Sequence, residues 1–508
     1  MVDQMKSFDK KLVGNATFLF LDWFFVTLLG FIYWSIAGKL LLPDQYGIVS
    51  TSINFATLLS SISLLGLNAT LWKLLPEYLE RNQKDKSKEL TRFSIKIVII
   101  SNIILILGLL FSSALITHIL KIPIEAIFIT AITVLILSIG TQFAAVLIGT
   151  QDMKKIATTD FIGHFIKILI SGALIFLGFN YFGPLLGFMI GMFTMAVLRI
   201  PFKFLSRVKK EILNKKQIFF EFALPAFISN LALVFFISGQ YVLLTAIKNP
   251  EATGLFTIAV LLTSPILSVP NVLSSALFPI ISQLSANRGS NERQKHLINM
   301  VLRYSLFFSV PAAMLLIIFS KNLILFFSRS EYLPSSSLFP ILALASIIYG
   351  AGLIFNQVLY SLGKPKIQRN IILMTALLFF ILAIPLTILF STFGICIAFL
   401  LSVSFFSFTS YKNTKKILNI HLPWESIIKI FLSALFSLLF LFVIACSVSG
   451  IFEAIVFCIL AGMIYLEFLF LIKFYTKQDI VILKSVIEKS PIFKRQFMNF
   501  IDFVSRFI

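Results

Sequence analysis

Cysteine, charge and above all acidic charge are scarce in this sequence, and each shortage removes a class of function. Only three cysteines, Cys396, Cys446 and Cys458, occur in 508 residues, all of them inside apolar segments. They lack the spacing of a metal site and the number for a disulfide framework, so they read as small buried hydrophobes. Charged residues make up 13% of the chain, and Asp plus Glu number 22 against 43 Lys plus Arg. No P-loop, no His-Glu-x-x-His helix and no sizeable soluble segment is present to house an active site. The sequence therefore predicts no enzyme, no metal and no cofactor beyond a coupling proton or sodium ion. A cleavable signal is also missing, because the first apolar run is long and leads straight into a second span.

What fills the chain instead is hydrocarbon. Hydrophobic residues reach 58%, and the mean hydropathy is +0.97. No soluble domain keeps that composition over such a length, so the fold class is an all-α polytopic membrane protein. Apolar runs of spanning length lie at 16–37, 46–71, 93–117, 122–149, 157–177, 182–200 and 219–247. They continue at 252–284, 302–327, 334–362, 370–390, 393–411, 426–448 and 451–474, which predicts 14 transmembrane helices. The net charge of +21 sits in short loops between these runs, and topology explains it better than nucleic acid does. The loop 73–96 and the segment 199–216 carry seven Lys or Arg each, on the same side as Lys6, Lys10, Lys11, Lys154 and Lys155. The opposite loops offer Lys39, Lys121, Lys248, Lys321 and Arg329. By the positive-inside rule both termini are cytoplasmic, and the location is the cell membrane. The sequons at Asn15 and Asn68 then fall on or near the cytoplasmic side and read as chance matches. Beyond residue 474, Phe493, Phe497, Phe500, Val504 and Phe507 recur at helical spacing, predicting an amphipathic tail helix that lies on the membrane.

An internal repeat organises the spans. Pro43-Asp-Gln-Tyr-Gly47 recurs as Pro250-Glu-Ala-Thr-Gly254, 207 residues later, and Arg81 faces Arg288 at the same offset. Further on, Lys155-Ile156 faces Lys366-Ile367 and Phe182-Gly183 faces Phe393-Gly394, 211 apart. A unit of six helices is even, so the two copies are parallel, related by an axis along the membrane normal. The predicted organisation is a cytoplasmic N-terminus (1–15), an N-lobe (16–200), a basic linker (201–218), a C-lobe (219–411), a helix pair (426–474) and a tail (475–508). Two such bundles around a central cleft make a transporter that alternates access by rocking.

The chemistry concentrates in the run 157–177. Asp160, His164 and Lys167 lie at i, i+4 and i+7 and share one helix face, which Ser171 extends. Counted from Ala157, Lys167 lies about 15 Å into the bilayer, close to its middle. A lysine there is costly, by roughly 3 kcal/mol or more, and is expected to face a water-filled cavity or a partner. Alternatively Asp160 and Lys167 neutralise each other, with His164 between them. Asp22, inside the first span, either binds a coupling cation or proton or supplies the counter-charge for Lys167. In the second copy Ser229, Ile371, Thr375 and Leu378 align with Asp22, Asp160, His164 and Lys167, so the scaffold itself does not require the charges. Asn54, Asn102, Gln142, Asn230, Gln240, Asn271, Asn356 and Gln357 are expected to hydrogen-bond between helices. Pro225, Pro265 and Pro270 are expected to break or bend the seventh and eighth helices.

Three segments carry a family resemblance: Gly66-Leu-Asn-Ala-Thr-Leu-Trp-Lys-Leu-Leu-Pro-Glu-Tyr78, Phe222-Ala-Leu-Pro-Ala-Phe-Ile-Ser-Asn230, and 338–366 ending Tyr360-Ser-Leu-Gly-Lys-Pro-Lys. With six plus six plus two helices, the chain resembles the polysaccharide flippases (Wzx type) of the MOP (MATE-like) exporter superfamily over about residues 9–474. The resemblance implies flipping of a polyprenyl-diphosphate-linked oligosaccharide to the outer leaflet, for cell-surface polysaccharide or glycan biosynthesis. Lys167 and His164 would accept the diphosphate, and Asp22 and Asp160 would provide cation coupling or counter-charge. The last helix pair looks like the one that helps form a lipid-tail groove in the lipid-II-flipping branch. Implied partners are the lipid-linked substrate, membrane lipids and the glycosyltransferases or polymerase of the pathway. A sodium- or proton-coupled multidrug exporter is the alternative, and a non-transporting scaffold for glycan assembly the third reading.

Overall fold

The computed structural model describes residues 2–206, 213–285, 291–445, 451–476 and 479, and among them it is all helix and connection, without strand. The first repeat folds as α1 (Val2–Leu40), α2 (Pro43–Ser63), α3 (Leu67–Glu80), α4 (Lys84–Phe111), α5 (Ser113–Leu120), α6 (Ile124–Gly149), α7 (Met153–Phe176) and α8 (Phe182–Leu198). Two short turns, α9 (Phe202–Leu205) and α10 (Lys215–Gln217), and a π-helical turn at Ile218–Ala223 lead into α11 (Leu224–Ile247). There follow α12 (Pro250–Thr263), α13 (Pro265–Ser285), α14 (Asn291–Ile318), α15 (Ser320–Phe327) and, after a 3-10 turn at Ser330–Leu338, α16 (Phe339–Ser361). The chain continues through α17 (Pro365–Leu418), α18 (Trp424–Ala445) and α19 (Ile451–Leu471). Among the described residues nine helices are long and apolar enough to cross a membrane, and α2 with α3, bent by 53°, makes a tenth. The 54 residues of α17 carry two of the expected spans, parted by Ser391 with its left-handed φ of 55°. The set is consistent with fourteen passages.

The helix breaks follow local chemistry. Between α2 and α3 the chain turns at Gly66, φ +73°, where a Cβ would overlap the carbonyl oxygen of Ala223 in the π-helical turn. Pro225 falls in the first turn of α11, directly after that turn, and Pro265 begins α13 after the interruption that ends α12. Pro270 lies inside α13.

Contacts divide the chain into two compact units. One comprises Met1–Leu262, Ile324–Ile341 and Arg369–Phe405; the other comprises Thr263–Leu323, Leu342–Gln368 and Phe406–Ile508. The second unit has its own apolar core, in which Ile298, Leu302, Ile354 and Leu469 are almost fully buried. There Tyr465 of α19 donates to the carbonyl of Phe307 at 3.0 Å. Arg303 lies 4.5 Å over the ring of Phe474 and pairs with Asp479. The amphipathic helix expected around Phe493–Phe507 lies outside the described residues.

In the first unit the two copies of the repeat meet each other. A Cβ on Gly47 would overlap the carbonyl oxygen of Pro250, and a Cβ on Gly254 would overlap that of Pro43. The contact is therefore reciprocal, as a local two-fold demands. Seven residues into α12, Thr257 donates to Ser50, its equivalent 207 residues earlier, at 2.8 Å. Thr51 and Thr245 share a hydrogen bond of 2.5 Å, and Thr245 reaches Thr253 at 2.7 Å. Two glycines at matching positions let backbones touch, and buried hydroxyls close the seam. The structure thus gives the sequence repeat a physical meaning: its signature segments bind one another.

Backbone carbonyls are the obstacle at both glycines, so neither side can yield by a rotamer change. Gly47→Ala and Gly254→Ala are each expected to destabilise the protein by about 1–3 kcal/mol, read as a lowered unfolding midpoint in detergent. Because one contact is broken twice, the double variant is expected to lose less than the sum of the singles; full additivity would show that the two glycines are independent.

Candidate functional site

The seam between α7 and α8 is built on small residues. Gly183, Gly187 and Gly191 recur every fourth residue on α8 and form one stripe. A Cβ at Gly191 would stand 2.7 Å from Cβ of Lys167, one at Gly187 would stand 2.9 Å from the Lys167 carbonyl oxygen, and one at Gly183 would stand 2.8 Å from Ile175. Gly163 of α7 faces Gly191 and Met195 in turn. The edge of α7 that carries Gly163, Lys167 and Ser171 is thus seated in the glycine stripe, the small-residue packing that drives helix association in lipid.

This seating decides where Lys167 goes. The residue is 3% exposed, and its Nζ lies 2.8 Å from Nδ1 of His164. The ammonium also stands over the ring of Tyr33 on α1, 4.5 Å from its centroid, and 5.9 Å from that of Phe188. Tyr33 is held by its own hydroxyl, which donates to the carbonyl of Pro184 at 2.9 Å. With Lys167 as an ammonium, which only donates, Nδ1 of His164 accepts and the ring proton lies on Nε2. Of the two expectations for this lysine, a water-filled cavity or a partner, the structure shows the partner, His164. In this conformation α1, α7 and α8 enclose it, and half-buried His164 forms the accessible edge of the pair.

Asp160 does not neutralise Lys167. Seven residues separate them, about 10 Å along the helix, and Asp160 instead pairs with Arg199 at 2.5 Å. Arg199 caps the end of α8, and its Nε donates to Thr159 at 2.9 Å. Asp22 joins this second cluster through electrostatic contact with Asp160 and Arg199. One of its carboxylate oxygens, Oδ1, is buried without a hydrogen-bond partner among the described residues. Asp22 precedes Tyr33 by eleven residues, about 16 Å along α1, so it is no counter-charge for the lysine that Tyr33 covers. The four predicted residues therefore separate into a lysine–imidazole pair, Lys167 with His164, and an acidic pair, Asp22 with Asp160. Arg199, counted in the sequence among the topological charges of 199–216, joins the acidic pair.

Asp22 and Asp160 hydrogen-bond each other, which takes a proton between them; with that proton gone, two carboxylates against one guanidinium leave a negative charge uncompensated. The Lys167 ammonium has no carboxylate within 4 Å among the described residues. Among the same residues no three His, Cys, Asp or Glu side chains gather to hold a metal ion. The amides expected to bond between helices behave differently. Asn54, Asn102 and Gln240 donate to carbonyls of their own helices, at 2.9, 2.8 and 2.8 Å. Hydroxyls bridge helices in their place, as Ser63 does with Ser138 at 2.6 Å. A short Ser or Thr reaches a neighbour at close backbone approach, where a longer amide folds back.

Breaking the acidic cluster and removing the ammonium are expected to have opposite effects. Arg199→Ala strands two carboxylates in a partly buried site and should cost about 3–5 kcal/mol. Lys167→Met keeps the stem and deletes an unneutralised charge, so its unfolding midpoint in detergent should equal or exceed that of the parent. A strongly destabilised Lys167→Met would show that the lysine is structural.

The chain matches the family described as polysaccharide biosynthesis protein over residues 12–285, more than half its length. It also matches the MatE family over residues 225–389. No curated protein matches it. Among solved structures it is similar to the lipid II flippase MurJ in an inward closed conformation, with 17% identity, a TM-score of 0.73, and coverage of 89% of this chain and 98% of that one. It is similar to an inward-facing multidrug resistance MATE family transporter of the MOP superfamily, with 11% identity, a TM-score of 0.65, and coverage of 78% and 94%. A third likeness is to a MOP superfamily transporter from Pyrococcus furiosus, with 12% identity, a TM-score of 0.55, and coverage of 81% and 96%. At these identities the likeness speaks for the fold, while the family rests on the sequence match. The chain belongs to the polysaccharide biosynthesis protein family, as a multi-pass membrane protein whose fold is that of the lipid II flippase and MATE transporter structures.

Proposed function

We propose that this transporter flips a polyprenyl-diphosphate-linked oligosaccharide from the cytoplasmic to the outer leaflet of the cell membrane, by alternating access, for cell-surface polysaccharide synthesis. The observation that carries the reading is the ammonium of Lys167, deep in α7 and without a carboxylate partner among the described residues. A charge kept there at a cost of about 3 kcal/mol or more is matched by a substrate that brings its own anion. The diphosphate would meet His164 first, at its half-buried edge, and Lys167 once α1 moves off the α7–α8 seam. In the low dielectric of a cleft, that charge-assisted contact is strong. The sugar crosses in water, and the polyprenyl tail stays in lipid. With the termini cytoplasmic, the orientation the basic loops favour, the Gly47–Gly254 seam would lie on the outer side. Closure there fits a conformation ready to load from within.

The acidic cluster supplies the drive in this reading. Asp22, with its unpartnered buried oxygen, takes up a proton or a sodium ion, and the change in charge beside Arg199 shifts α1 against α7. Glycosyltransferases or a polymerase of the same pathway would act on either side of the step. The same cluster is what favours the second reading, a cation-coupled multidrug exporter. A lysine in the core repels cationic drugs, which weighs against it.

The test is flipping of a fluorescent polyprenyl-diphosphate oligosaccharide in proteoliposomes. The parent protein should flip it, and Lys167→Ala should slow flipping by about tenfold or more, the loss from removing one partner of a buried charge contact. Asp22→Asn should remove the response to an imposed proton or sodium gradient. Movement of a cationic dye without movement of the lipid would establish the exporter reading, and undiminished flipping by Lys167→Ala would remove the site.

A further inference from the structure

An apolar cavity of about 320 Å³ opens in the first unit, and no residue of α7 lines it. Phe55 and Leu58 of α2, Ile119 of α5, Phe235 and Leu243 of α11, and Phe380 of α17 line it. None of its lining residues carries a polar side chain. Gly239 forms part of the wall, where a Cβ would stand 2.8 Å from the ring of Phe380. Such a space offers water no hydrogen-bond partner. Between membrane-spanning helices, the medium that fits it is a hydrocarbon chain.

Two lysines stand at one end of the cavity. Leu120 belongs to the lining and Lys121 follows it; Ala246 belongs to the lining and Lys248 comes two residues later. The side chain of Lys121 donates to the carbonyl of Lys248, and that of Lys248 donates to the carbonyl of Ile388 at 3.0 Å. Both cations are thereby held together at the rim, each with donors to spare, since an ammonium has three. The helices α5 and α11 both end here, so the lysines lie at the membrane boundary. Hydrocarbon below and two positive charges above match the two parts of a lipid.

We propose that this is a binding site for one anionic glycerophospholipid of the leaflet on that side, with an acyl chain in the cavity and the phosphate on Lys121 and Lys248. The site joins α2 and α5 of the first repeat to α11 and α17 of the second. A bound lipid would brace the contact between the two copies, and it does so whichever substrate the transporter carries.

The test is native mass spectrometry of the full-length protein in detergent, titrated with dioleoylphosphatidylglycerol and dioleoylphosphatidylcholine. The parent should retain one phosphatidylglycerol in preference to phosphatidylcholine by about tenfold, as two lysines beside an anionic head group provide. Lys121→Ser with Lys248→Ser should abolish the preference, and Ala246→Trp, which fills the cavity, should abolish retention of both lipids. Equal retention of the two lipids by the parent, or an unchanged preference in the double lysine variant, would overturn the proposal. So would displacement of phosphatidylglycerol by an equal concentration of polyprenyl phosphate, which would make the occupant a carrier lipid. Should Ala246→Trp fail to fold, the double lysine variant decides alone.

Discussion

Close approach of α7 to α8 is the constraint on which the charged core depends. In a bilayer, apolar helices gain nothing from hiding apolar surface from one another, so their association rests on contact area and a few polar bonds. Three glycines on α8 provide that area, and they bring the α7 backbone close enough that Lys167 has nowhere to extend except toward Tyr33 and His164. The aromatic face and the imidazole nitrogen replace part of the water the ammonium has lost. They do not neutralise it. A site built for stability alone would hold an apolar residue, as the second repeat does with Leu378 at the matching place.

Two polar clusters on the same three helices divide the electrostatics between them. Asp22, Asp160 and Arg199 lie toward the end of α7 that starts at Met153, and Lys167 with His164 lies further along. Because α1 contributes Asp22 to one and Tyr33 to the other, a shift of α1 alters both. The reciprocal contact between the repeat copies is uncharged and made of backbone and hydroxyls.

The long apolar runs were legible in the sequence because a spanning helix must satisfy its own backbone and cover its surface with hydrocarbon. The repeat was legible at Pro43–Gly47 and Pro250–Gly254 because reciprocal contact restricts both copies to the same small residue. The partner of Asp160 was not legible. Helical spacing puts Lys167 on the same face as Asp160, but it says nothing of Arg199, forty residues beyond Thr159 and on another helix. Arg199 ends an apolar run and so looked like a topological charge. The enclosure of Lys167 escaped for a related reason. Periodicity identifies a shared face without telling which neighbour covers it, although Gly183, Gly187 and Gly191 at a spacing of four carried a signal for close packing. Asn54, Asn102 and Gln240 show the same limit: the residue type announced a hydrogen bond but not its direction.

The central claim is that the enclosed ammonium exists for an anionic head group. It is tested most directly by the affinity of the protein in nanodiscs for sugar-free polyprenyl diphosphate, compared between the parent and Lys167→Met. The account predicts that the variant, folded and at least as stable, binds at least about tenfold more weakly. Equal affinity of the two proteins would contradict it.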